Sequence, residues 1–241
     1  MFRISLALSA AVVANAAIAQ STLTLEEARR LAREKQSSSM VRQEVTAAWL
    51  SAWGAARTAA LVRSLQAEYR RGIAAATASV AGGRSALGDV FAARQLLNQS
   101  EDRLLELAMQ GERSTAELAR WTGDPAATPS PAAPQWRDPP PLPQLLARLP
   151  PQHAAQRAEL QALYSEWRRS SERLANFDAR ILPDAQARID VLSAGYAAGR
   201  SELGGLLEAR RALMENRVRR LAVEVAQAKA RAALEHFEHA D

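Results

Sequence analysis

Apolar residues recur at helical spacing along four long stretches of this chain, with polar residues filling the positions between them. From about residue 41 to 81, Val45, Trp49, Ala52, Ala56, Ala59 and Ala60 keep three- and four-residue steps, and Leu61 and Leu65 continue them. That periodicity predicts one long helix. Gly72 inside it costs about 1 kcal/mol relative to alanine. A second helix is expected from about 87 to 121, stopping at Gly123. A third should run from about 154 to 198, with a kink near Pro183, and a fourth from about 203 to 237. In the fourth, Leu203, Leu207, Met214, Val218, Leu221 and Val225 form a stripe close to heptad spacing. Arg210, Arg211, Arg217, Arg219 and Arg220 fall mostly outside that stripe. A short helix precedes all four. Thr24-Leu25-Glu26-Glu27 reads as a capping box, and 36–39 (Gln-Ser-Ser-Ser) breaks the helix that follows it. Segments of this length make helices about 50–65 Å long. The expected architecture is all-α: two tandem, long antiparallel helical hairpins forming an elongated four-helix bundle.

The chain repeats itself. Ala81-Gly82-Gly83-Arg84-Ser85-Ala86-Leu87-Gly88 and Ala197-Ala198-Gly199-Arg200-Ser201-Glu202-Leu203-Gly204 align without a gap, 116 positions apart. In the same register Ala93 and Arg94 meet Ala209 and Arg210, Leu97 meets Leu213, Arg103 meets Arg219, Leu105 meets Leu221 and Leu118 meets Leu234. A match of this length is an internal duplication. Between the copies, 124–151 carries ten prolines, a density expected to exclude helices and inner strands. The expected organisation is a signal peptide over 1–19, a first helical repeat over 20–124, a proline-rich linker over 125–151 and a second repeat over 152–241.

Composition narrows the reading. Of 241 residues 5% are aromatic and none is cysteine, so no disulfide and no thiol-linked lipid is available. The formal charge of +5 comes from 31 basic and 26 acidic residues mixed along helical faces. A nucleic-acid binder would concentrate its basic residues in one patch. Arg3, the apolar run 4–14 and Ala17-Ile18-Ala19 have the layout of a secretory signal, which implies export to the periplasm. Beyond it no apolar run approaches the length of a spanning helix. There is no cysteine nucleophile, no Gly-x-Ser-x-Gly, no phosphate-cradling loop and no His-Glu-x-x-His. An enzyme is the least expected class, and no cofactor is implied. His236 and His239 near the C-terminus read as a polar helix end rather than a metal site. The five tryptophans read as packing anchors.

At its two glycine-bearing breaks the chain resembles the TolC family of outer-membrane efflux factors. The second half carries Ile181-Leu182-Pro183-Asp184-Ala185, then Gly195-Tyr196-Ala197-Ala198-Gly199-Arg200-Ser201, then Leu206-Leu207-Glu208-Ala209-Arg210, similar to that family's leucine-proline, Tyr-x-x-Gly and Leu-x-Ala-Arg pattern. The first half matches through 83–94 and closes on Leu118-Ala119-Arg120-Trp121-Thr122-Gly123, and Leu23-Thr24-Leu25-Glu26-Glu27-Ala28 looks like the family's opening. The flavour is nearest the heavy-metal, CusC- or CzcC-like branch. One departure stands out. The family places two transmembrane strands in each repeat, and no ten-residue alternating segments with aromatic ends occur here.

The resemblance implies that the breaks are hairpin tips meeting the hairpins of a periplasmic adaptor (membrane fusion) protein of an efflux pump. Mapped onto this chain, the tips are Gly83, Arg84, Ser85 and Leu87, and Gly199, Arg200, Ser201 and Leu203. Glycine permits the reversal, a hydroxyl can cap the returning helix, and Leu87 and Leu203 offer apolar contact. By residue chemistry alone they are equally well helix turns and nothing more. The functional expectation is a barrel-less, TolC-like periplasmic protein of an efflux system, exporting heavy metals in that branch, with an adaptor or a full-length outer-membrane factor as partner. Two alternatives stand beside it: a subunit of a trimeric α-helical conduit, and a periplasmic metal-binding or stress protein that reuses the scaffold.

Overall fold

A computed structural model describes residues 22–35, 39–83 and 87–238. The leader over 1–19, Arg84 and Ser85 of the first break, and His239 lie outside the described residues. The elements in order are β1 (Thr22–Leu23), α1 (Leu25–Lys35), α2 (Ser39–Ala81), α3 (Leu87–Thr122), β2 (Thr128–Pro129), α4 (Leu142–Ala147), α5 (Ala154–Asn176), a π-helical turn (Phe177–Ile181), α6 (Leu182–Ala197) and α7 (Leu203–Glu238). The fold is all-α apart from the two short strands, which pair in parallel.

Local chemistry sets the element ends. The Glu27 amide donates to Thr24 Oγ1 at 3.2 Å and the Thr24 amide donates to Glu27 Oε2 at 2.8 Å, which closes the capping box of α1. Two expectations change. The proline-rich connection holds a helix after all, because Pro141 and Pro143 stand at the N-cap and first turn of α4, where a missing N–H costs nothing. The kink near Pro183 is a π-helical turn just before it. The Leu182 amide reaches back to the Phe177 carbonyl, and proline occupies the first turn of α6, where it has no amide to satisfy.

Helices α2 and α3 form one hairpin and α5–α6 with α7 the other. α2 and α7 are the middle pair. Gly54 faces Val225 and Gly72 faces Leu207, so the two helices run antiparallel in a single register. A Cβ at either glycine would stand 2.9 Å from its facing side chain. The two glycines are therefore the places where α7 is let in close. The core is strung along this seam in separate clusters. One, with Val45, Trp49, Leu50, Trp53, Leu118 and Leu221, lies far from the tips. Another, with Leu65, Tyr69, Ala76, Val90 and Leu207, lies towards them.

The connection is strapped across the tip-distal end. The Ser130 amide donates to the Leu23 carbonyl at 2.9 Å, Trp49 Nε1 donates to that same carbonyl at 2.8 Å, and Arg157 Nη1 donates to the Leu146 and Leu149 carbonyls at 2.7 and 2.8 Å. Arg29 pairs with Glu235 at 3.0 Å, tying α1 to the end of α7.

Candidate interaction site

The two sequence copies enter their turns alike. Gly83 and Gly199 have φ of +68° and +69°, a backbone that other residues adopt only at a cost. The Gly83 amide donates to the Val80 carbonyl at 2.9 Å and the Gly199 amide to the Tyr196 carbonyl at 3.0 Å. α3 and α7 then both run for 36 residues. The tips lie side by side and border a cleft of about 840 Å³, lined by Asp89 of the first hairpin and by Tyr196, Gly199, Arg200, Ser201 and Glu202 of the second.

The two tips differ in what they show. Leu87 is 57% exposed, and so is Phe91, one turn further on, at 58%. Leu203, expected as the matching contact residue, is only 7% exposed. It packs in the tip-side core with Ala76 and Leu207, because α7 lies against α2 there. At the turns themselves the exposed leucine is therefore that of the first hairpin. Phe91 was missed in the sequence reading, although its four-residue step from Leu87 is the signal that could have found it. Arg200 is exposed beside the cleft.

The same asymmetry runs the length of α3. Leu105 and Met109 are 67% and 55% exposed. Their counterparts 116 positions on are Leu221, which is buried, and Val225, which is partly buried against α2. Phe91 corresponds to Leu207, at 1% exposed. α3 thus keeps the two ends of the stripe that α7 packs on α2, and leaves them bare, while Asn98 and Asp102 stand where α7 has Met214 and Val218. Charge follows the same logic. Arg210 of α7 pairs with Glu68 of α2. Their counterparts are Arg94 on α3 and Asp184 on α6, both exposed and without an ion pair among the described residues. Val191, on α6, is 72% exposed.

His236 meets the edge of Phe237 with ring centroids 5.3 Å apart. Trp49 and Trp53 stack at 6.3 Å in the core. Among the described residues no helix is long and apolar enough to cross a membrane.

No protein-family model matches the sequence, and no curated protein matches it. In fold the chain is similar to the outer-membrane channel OprN, with 15% identity, a TM-score of 0.66, and coverage of 90% of this chain and 70% of that one. It is likewise similar to a membrane protein from Pseudomonas aeruginosa, with 15% identity, a TM-score of 0.67, and coverage of 88% and 71%. Neither likeness bears on the heavy-metal branch. The helical architecture described above is thus one that this chain has in common with an outer-membrane channel.

Proposed function

We propose that this chain is a TolC-like helical component of an efflux system, without enzymatic chemistry, which meets a periplasmic adaptor through its hairpin tips. The observation that carries the tip assignment is the exposed pair Leu87 and Phe91 beside a glycine-formed turn. A helical partner needs apolar anchors on an otherwise polar end, and this pair supplies them. Heavy-metal cations are the substrates that the sequence resemblance suggests. The test is capture of a purified periplasmic adaptor protein by the full chain. Leu87→Asp with Phe91→Asp should cut capture by about tenfold or more while far-UV circular dichroism stays unchanged. Capture as strong as wild type would remove the tip from the reading.

A second reading is favoured by α3. Its exposed Leu87, Phe91, Leu105 and Met109, together with Arg94 on α3 and Asp184 and Val191 on α6, repeat part of the α2–α7 seam, and Arg94 and Asp184 have no ion pair among the described residues. Copies joined α3 to α6 would repeat that seam between chains and close into a helical conduit. Sedimentation decides it: a conduit subunit associates as concentration rises, and a protein monomeric at all concentrations is not one.

A further inference from the structure

We propose that the slot between α2, α3 and α7, midway along the bundle, binds an amphiphilic carboxylate with an oxygen at its far end, of the ω-hydroxy medium-chain acid type. The site depends neither on the tips nor on assembly. α3 and α7 both pack on α2 far more than on each other, which leaves the slot between them. It holds about 350 Å³, within the range of small-ligand clefts. Val62 and Leu65 of α2 are its floor. Leu96 of α3 and Met214 and Val218 of α7, each half-buried, are its sides.

The tip-distal end of the slot is cationic. Arg103 and Arg219 occupy the same position in the two repeats, and both line it. Arg103 holds only the exposed Glu106, 2.5 Å away on its own helix, and Arg219 has no ion pair among the described residues. The other end offers a hydroxyl. Tyr69 lines the slot, is 1% exposed, and makes no hydrogen bond among the described residues. Burial pushes its pKa up to about 12, so it stays a neutral O–H donor at physiological pH. The charges acting on it are those of Arg211, Glu208 and Glu215. These are spent on one another: Arg211 donates from Nη1 to Glu215 at 2.6 Å and from Nε to Glu208 at 2.9 Å. From Arg211 to Arg219 the helix advances roughly 12 Å. A carboxylate at the cationic end meets two guanidiniums in charge-assisted pairs. A hydrocarbon chain of about that length covers the apolar sides. An oxygen at its far end accepts from Tyr69, whose O–H is costly to leave without a partner. A cation would face two arginines, and an inorganic anion would leave the apolar sides and the hydroxyl unused.

The experiment is calorimetric titration of the full chain with ω-hydroxydecanoate, decanoate and decanediol, each below its micelle concentration. ω-Hydroxydecanoate should bind saturably. Decanediol, which lacks the charge, should bind at least about tenfold more weakly, and decanoate, which lacks the terminal oxygen, about fivefold more weakly. Arg103→Gln with Arg219→Gln should weaken both acids by about tenfold, with circular dichroism unchanged. Tyr69→Phe keeps the ring in the core. It should abolish the difference between the two acids and leave decanoate binding as it was, which a merely destabilised variant would not do. No saturable heat with ω-hydroxydecanoate, equal binding of decanediol, full binding by the double glutamine variant, or an acid preference that survives Tyr69→Phe would each overturn the proposal.

Discussion

Gly54 and Gly72 sit in the middle of a 43-residue helix, where glycine is a poor helix former. Their role is spatial, since Val225 and Leu207 occupy the room a side chain would need. Val225 is β-branched and has little freedom to turn away within α7. Propensity alone predicts that Gly54→Leu stabilises by close to 1 kcal/mol. Overpacking predicts the opposite sign, a loss of about 1–3 kcal/mol, and that is the expected result in urea denaturation. Carboxylates set the acid limb of stability. Hydrogen bonds from Arg220 hold Asp178 below its ordinary value, those from Arg211 do so for Glu208, and the Thr24 amide does so for Glu27. Each binds a proton less readily folded than unfolded. Their stabilisation is therefore present above the ordinary carboxylate range and is lost as pH falls through the depressed values. Denaturation midpoints should drop as pH falls below about 4.5, and Asp178→Asn should flatten that slope.

Between elements, α3 and α7 are a natural comparison, because they are copies of one helix placed in different surroundings. Leu221 is 6% exposed in the seam with α2, while Leu105 at the same repeat position is 67% exposed. Leu221→Ala should cost about 2–5 kcal/mol, as buried leucines do. Leu105→Ala, measured on the monomer, should stay within about 0.5 kcal/mol. Equal losses at the two positions would mean that α3 is covered within its own chain. The ends of α3 and α7 were readable from sequence, since glycine breaks and apolar spacing act within a few residues. The π-helical turn was only half readable. Pro183 announced a disturbance but not its form; within the π-helical turn Asp178 reaches α7, with Arg220 Nε 2.6 Å from its Oδ1. The helix within the proline-rich connection went unread because proline density hid that Pro141 and Pro143 fall where a helix begins.

For the molecule as a whole, the seam between α2 and α7 joins the two repeats, and α3 and α6 on the outer sides keep part of its residues exposed. If copies close through it, Arg94→Glu should weaken association by about tenfold, and Arg94→Glu with Asp184→Arg should restore it. Sedimentation of both variants checks this, and a double variant no better than the single would break the pairing. The all-α class, the four long helices, the duplication and the two tip turns were legible in the sequence by itself. Each is dictated by residues a few positions apart, through the 3.6-residue repeat, the conformational freedom of glycine and local hydrogen bonds. Which copy of each stripe is covered was decided only by tertiary structure. Leu87 and Leu203 share a residue type and nearly the same neighbours, yet one faces solvent and the other is buried, because burial depends on which distant helix lies alongside. The gathering of Tyr69, Arg103 and Arg219 around one slot has the same origin, since no local rule brings together positions so far apart along the chain.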